Sequence, residues 1–318
     1  MRTSVALAAA AASVLAVPAL ADYPERPIQI IVPYSAGGGT DLSVRLLADS
    51  LTRQLEGARV VVRNQPGGGG SVGTSAAIHA RPDGYTLGTG AQGPLALLPH
   101  LGGTDYQLED VNFIALFGRN LQVLVACANA PFQDFDAFMA HAKDNAVQVG
   151  NSGAGGANHI SAEAFAKAAD VKIESVPYPG SADARTACIG GHIDAMVASP
   201  AEALSASGAG QMTPLFVMED ERIDVFPDTP TAAEKGIDFT WSSWKGIIAP
   251  EGLPEEVKAT LQEAIAAAVE DQEFRTAMEE LGEFVVFEDA EAYEARAVAD
   301  SEVARQTIED LGLLGMNN

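Results

Sequence analysis

The residues of this chain best placed to do chemistry are glycines and the small polar residues beside them. Residues 33–41 read PYSAGGGTD: a β-forming run ends at Val32, three glycines free the backbone, and Thr40 or Asp41 is placed to cap the helix that follows. Such a loop aims open N–H groups and the positive end of a helix dipole at one point, which makes an anion site without a cationic side chain. The arrangement recurs at residues 150–159 (GNSGAGGANH), ahead of the helical spacing of Ala162, Phe165 and Ala169, and more briefly at residues 178–181 (YPGS). A single glycine loop does no more than turn the chain. Three of them at successive strand ends point to a ligand, because open α/β sheets bind ligands beyond the carboxyl ends of their strands. None of the three contains Lys or Arg, so a carboxylate held there would rest on N–H groups and hydroxyls.

Two enzyme motifs compete for the next glycine run. Gly68, Gly70 and Gly73 fit G-x-G-x-x-G between a strand and a helix, but the acidic residue that would confirm a dinucleotide site is missing where the next strand runs into Gly90-Ala91-Gln92. Gly69, Ser71 and Gly73 fit G-x-S-x-G, yet a nucleophile elbow needs its serine directly off the strand, and eight residues separate Val62 from Ser71. A secreted serine hydrolase using Ser71 is therefore the weaker alternative. Of the five histidines, His159 lies beside a glycine loop and shares a helix face with Glu163. A cleft-facing hydrogen bond and plain packing are both open to it, and two groups without a third do not make a metal site. No metal and no cofactor are expected.

These loops need strands and helices to hold them. Ile28 to Val32, Arg59 to Val62 and Gly84 to Thr89 read as strands, with helices through Leu42 to Leu55 and Val72 to Ala80. A second series follows, with strands at residues 121–126, 146–149, 173–176, 195–199 and 213–217 and helices centred near Phe138, Phe165, Thr186 and Ala203. The end of the chain is helical from Pro254 and again from Ala290 to Leu311, around a short strand at residues 284–287. The acidic and alanine-rich stretch from Pro254 to Glu280 reads as a solvated amphipathic face. Alternation of this kind is an α/β fold. Phe113 to Ala126 and Phe239 to Ala249 look like crossing segments. That divides the mature chain into lobe 1 (residues 22–123 plus 241–318) and lobe 2 (residues 124–240), joined by two hinge strands around a cleft. Trp241 and Trp244 lie on the second crossing, where core packing is the default.

Composition bounds the function. The 318 residues carry a formal charge of −24, which excludes nucleic acid or an anionic membrane surface bound through a basic patch. Residues 1–21 read as a cleavable secretory signal: Arg2, an apolar run from Val5 to Leu20, and small residues Ala19 and Ala21 before Asp22. The mature chain is thus expected outside the cytoplasm. Cys127 and Cys188 are the only cysteines; both sit in apolar contexts, and buried free thiols are expected over a disulfide.

The opening, Tyr23-Pro24-Glu25-Arg26-Pro27-Ile28 and then residues 31–41, resembles the substrate-binding proteins of tripartite tricarboxylate transporters, the Bug family. Further landmarks come in that family's order: VVVRNQPGGGGSVG at 60–73, RPDGYTL at 81–87, the loop at 150–159, VPYPGSADA at 176–184, GGHIDAM at 190–196, DTPTAAEKGI at 228–237 and the strand 244–250. The resemblance covers essentially the whole mature chain. It implies a two-lobed periplasmic binding protein of the type II, Venus-flytrap kind, monomeric, binding a small organic carboxylate without transforming it and delivering it to membrane permease subunits. A sensor-type receptor feeding a two-component system is the alternative within the same fold. Carried over by position, Tyr34, Ser35, Ala36, Gly37, Gly38, Gly39 and Thr40 would clamp the ligand from one lobe. Ser152, Gly153, Gly155, Gly156 and His159 would clamp it from the other, Tyr178, Gly180 and Ser181 would add a third wall, and Thr89 and Gln92 would read its far end.

Overall fold

The computed structural model describes residues 23–316; the signal segment expected over residues 1–21 lies outside them. The chain begins β1 (Ile28–Val32), α1 (Gly39–Gln54), β2 (Val60–Asn64), α2 (Ser71–Ile78), β3 (Thr86–Ala91), α3 (Leu98–Leu101) and β4 (Asn112–Asn120). It continues through β5 (Val123–Cys127), α4 (Phe135–Asp144), β6 (Val147–Asn151), α5 (Ala157–Ala169), β7 (Ile173–Pro177), α6 (Ser181–Ile189), β8 (Ala195–Ala198), α7 (Pro200–Gly208) and β9 (Met212–Val217). It closes with β10 (Ser243–Ala249), α8 (Glu255–Glu270), α9 (Gln272–Glu280), β11 (Val285–Glu288) and α10 (Ala290–Asp310).

These strands form two sheets. One has the order β11-β4-β10-β3-β1-β2 and the other β7-β6-β8-β5-β9. In the first, β1 runs parallel to β2 and β3 while β10 runs antiparallel to β3 and β4. In the second, β6 runs parallel to β7 and β8, and β5 antiparallel to β8 and β9. Helices cover both faces of each sheet, so the central strands are apolar throughout rather than alternating; β5 and β10 are buried at every position. The first sheet packs Ile28, Ile30 and Val32 against Leu47 and Leu51 of α1 and Leu261 and Ile265 of α8 on one side. Tyr106, Phe113, Trp244 and Tyr293 fill the other side. The second sheet rests on an aromatic core of Phe138, Phe165, Phe216 and Phe239. Its opposite face is built from smaller residues, including Ala184, Cys188 and Met196.

The chain passes from the first sheet to the second between Asn120 and Val123, and returns between Val217 and Ser243. The first passage lies within the apolar stretch Phe113 to Ala126, whereas the second runs through a largely polar segment and enters β10 by way of the stretch that begins at Phe239. Arg119, at the end of β4, pairs at 2.6 Å with Glu219, just beyond β9, and so ties the two passages together. Burial pushes the Glu219 carboxyl up to about 7, with Arg119 working against it.

Three features depart from the sequence reading. Cys127 and Cys188 are joined in a disulfide, with Cα atoms 5.2 Å apart. Their apolar surroundings are equally the setting of a buried bridge between the end of β5 and the end of α6. The stretch from Pro254 to Glu280 is two helices, broken where Asp271 turns extended and caps the second by accepting from Glu273 N. A further helical segment runs from Gly93 through α3, where the sequence reading places no element; Pro94 and Pro99 both fall at first-turn positions, which helices tolerate.

Candidate functional site: a cavity at four helix starts

The loops after β1, β6, β7 and β8 all run directly into helices, and all four helix starts face one another where the sheets meet. A cavity of about 30 Å³ lies between them. Tyr34 and Gly38 line it from the loop before α1, Gly39, Thr40 and Asp41 from α1, Ala157 and Asn158 from α5, Ser181 from α6, and Ser199 and Glu202 from the N-cap and first turn of α7. Gln92, Asn120, Gln122, Ser152 and Ser243 complete the polar wall. Lys, Arg and His are absent from the lining.

The N-caps of α1, α5 and α6 are Gly38, Gly156 and Gly180, none of which makes a side-chain cap. An uncapped start leaves first-turn N–H groups in need of an acceptor. The fourth, α7, is capped within itself: Ser199 Oγ accepts from Glu202 N at 3.3 Å, and Glu202 Oε2 accepts from Ser199 N at 3.1 Å. Glycine at two of these caps, Gly38 and Gly180, and at Gly39 beside the first, has a steric reason as well. A Cβ on Gly38 would come 2.6 Å from Ser181 Oγ, one on Gly39 would come 2.5 Å from Ser199 Cβ, and one on Gly180 would come 2.8 Å from Ser35 N. The two lobes thus touch backbone against side chain across the cleft. Ser35 Oγ donates to Asp183 Oδ2 at 2.5 Å in the same interface.

Asp41 faces the cavity, but its oxygens are already engaged. Oδ2 accepts from Gly37 N and Arg45 Nε, and Oδ1 accepts from Asn64 Nδ2 with Arg45 beside it. It fixes the glycine loop. Beneath the floor, Lys245 is fully buried; its Nζ lies 3.0 Å from Glu283 and donates to Ser43 Oγ and Asn120 Oδ1. Because the Asn120 carbonyl is held by Lys245, its amide NH₂ is turned toward Thr40 Oγ1, 3.5 Å away at the α1 start. Burial pulls the Lys245 ammonium down, and Glu283 opposes that pull.

Of the residues singled out from sequence, Tyr34, Gly38, Gly39, Thr40, Gln92, Ser152 and Ser181 line the cavity. The others serve around it. Ser35 and Gly180 form the lobe contact, Gly37 binds Asp41, and Ala36 is exposed at the loop tip. Gly153 lies against Gly69, Gly155 lies against Leu98 and Leu101, and Gly156 N donates to Gly153 O. His159 is buried and holds its own loop: Nδ1 accepts from Gly155 N at 2.8 Å, with Glu163 3.7 Å from Nε2. Tyr178 packs on the lobe-2 core, and Thr89 is fully buried within β3. Among the described residues, no group of three His, Cys, Asp or Glu could hold a metal ion.

Sequence reasoning missed Asn120, Gln122, Asn158, Ser199, Glu202 and Ser243. One of these carried a signal, because Ser199-Pro200-Ala201-Glu202 is a capping box at a strand end. The others are single polar residues inside apolar runs or behind a glycine loop.

Two α/β lobes joined by two passages, with helix starts converging between them, define a bilobal solute-binding protein. The chain belongs to the tripartite tricarboxylate transporter family receptors, whose family model matches residues 43–313. It is 30% identical to a UPF0065 protein of Cupriavidus necator over 98% of this chain and 96% of that one. The solved periplasmic binding protein BugD superposes with a TM-score of 0.88 at 29% identity, covering 92% of this chain and 99% of that one. Two Rhodopseudomonas palustris proteins are also similar. One, Rpa4515, was solved with adipate (TM-score 0.87, 25% identity, 92% and 99% covered). The other, MatC, was solved with bound malate (TM-score 0.78, 28% identity, 91% and 98% covered).

Proposed function

We propose that this chain is an exported receptor that captures a small organic carboxylate between its lobes and presents the closed complex to permease subunits of a tripartite tricarboxylate transporter. In this reading lobe 1 is residues 22–123 plus 241–318 and lobe 2 is residues 124–240. The carrying observation is the convergence of four helix starts, three of them uncapped on glycine, in a cavity lined without a cationic side chain. Partial positive charge from N–H groups suits one or two carboxylates, and the groups come from both lobes, so the anion gains its full set only when they close. The similar R. palustris proteins with malate and adipate support the same ligand class.

A thermal-shift screen of aliphatic and aromatic carboxylates tests the reading. A ligand present at about 100 times its Kd adds about 2.7 kcal/mol to the folded state, which moves the melting temperature by several degrees. No shift with any mono-, di- or tricarboxylate would sink it.

A further inference from the structure

Glu202 is the one feature of the cavity that a plain anion site does not explain. It lines the cavity at 1% exposure, yet a receptor for anions gains nothing from a fixed negative charge there. Its two oxygens differ. Oε2 accepts from both Ser199 N and Ser199 Oγ, at 3.1 and 2.9 Å, whereas Oε1 is buried with no hydrogen-bond partner. The charged groups around it do not neutralise it. Arg185 acts from α6 as a weak opposing influence without forming an ion pair, and the buried Lys245 is taken by Glu283. Glu283 itself is a second carboxylate, facing Glu202 from the other lobe and repelled by it, and the Asp41 carboxylate lines the cavity from α1. Burial favours the protonated acid over the anion, against the Ser199 and Ser181 hydroxyls and Arg185. With Oε2 occupied by two donors, the proton belongs on Oε1, which no group of the protein meets in hydrogen-bonding geometry.

Building on the carboxylate reading, we propose that in the closed receptor Glu202 is a neutral carboxylic acid whose Oε1–H donates to a carboxylate of the ligand, so that each anion captured carries one proton in with it. In the open state water reaches Glu202 and favours its ionised form. Closure on an anion removes the water, adds a negative neighbour and binds the proton. One O–H bond forms on Oε1 and one breaks in the solvent or buffer acid that supplies the proton, leaving its conjugate base in solution. The sign follows from linkage: affinity is greatest where Glu202 is already protonated in the open state, and it falls as pH rises above that point.

Titration calorimetry on the intact mature protein tests this, with malate, adipate and the carboxylates of the thermal screen as probes. Titrations are run in two buffers of different ionisation enthalpy, at pH values where each probe is fully ionised. Wild type is expected to take up about one proton per ligand and to lose about tenfold in affinity per pH unit. Glu202→Gln keeps the capping box, since Gln serves at that position, and its amide supplies a donor without titrating. That variant is expected to bind within about threefold of the acidic wild type, with no proton uptake and a flat pH profile. A probe that binds wild type with no proton uptake overturns the proposal, as does a Glu202→Gln variant that keeps the wild-type pH dependence. If no carboxylate binds, the underlying ligand reading fails instead, and Glu202 loses its acceptor with it.

Discussion

Lys245 and Glu283 meet 3.0 Å apart with no solvent exposure, directly below the α1 start. A buried pair of this kind is poor evidence of stability in itself, because desolvating two charges offsets most of their attraction. What it does is hold polar atoms in place: the ammonium orients Asn120, and Asn120 reaches toward Thr40 at the cavity wall. Removing one partner strands the other. Lys245→Met should cost about 3–5 kcal/mol in a urea melt, while Lys245→Met with Glu283→Met should recover most of that loss. A double variant as unstable as the single one would show that the site stands on more than charge compensation. Residues such as Lys245, Asn120 and Glu202 were the least legible part of the sequence. Lys245 and Asn120 lie in strands covered on both faces, so no alternation marks which way they point, and the capping box that marks Glu202 accounts for its place at a helix start but not for its facing a cavity.

Helices and strands were far more legible. The strands of both sheets and the helices following the glycine loops were readable because their apolar spacing and their breakers agree. The glycine loops stood out as well, since glycine before a helix where a side-chain cap is the norm carries information about what else must approach. Leu98 to Leu101 escaped because Pro99 fits a loop as well as a helix start. The disulfide escaped because spacing in sequence does not report that α6 brings Cys188 onto the end of β5. Its bridge spans a separation of 61 residues, for which chain entropy gives a stabilisation of about 4 kcal/mol. Replacing both cysteines by alanine should lower the free energy of unfolding by about that amount while leaving carboxylate affinity within about twofold, because the bridge lies away from the cavity wall. A stability loss under about 1 kcal/mol would mean that α6 is already anchored by packing.

At the scale of the whole molecule, an acidic protein reads an anion. The formal charge of −24, made one unit more negative by the loss of Arg2 with the expected leader, gives a general field that repels the proposed ligand. Capture must therefore be local, through helix starts and hydroxyls brought within reach by closure, with salt screening the rest over about 8 Å at physiological ionic strength. Closure also buries apolar surface, since Leu98 and Leu101 pack with Ala157 and Ile160 from the other lobe. The central claim is that the anion is held between the α1 and α6 starts as the lobes meet. Gly38 lies at that meeting, with an ordinary φ of −83° and its Cβ position 2.6 Å from Ser181 Oγ. Gly38→Val should therefore fold normally and yet be unable to close. The measurement is titration calorimetry of wild type and Gly38→Val with whichever carboxylate the thermal screen selects. The account predicts saturable one-to-one binding by wild type, with the ligand recovered unchanged, and a loss of at least about 100-fold in the variant, or about 2.7 kcal/mol, with its melting temperature within a few degrees of wild type. Unchanged affinity in a folded Gly38→Val would contradict it.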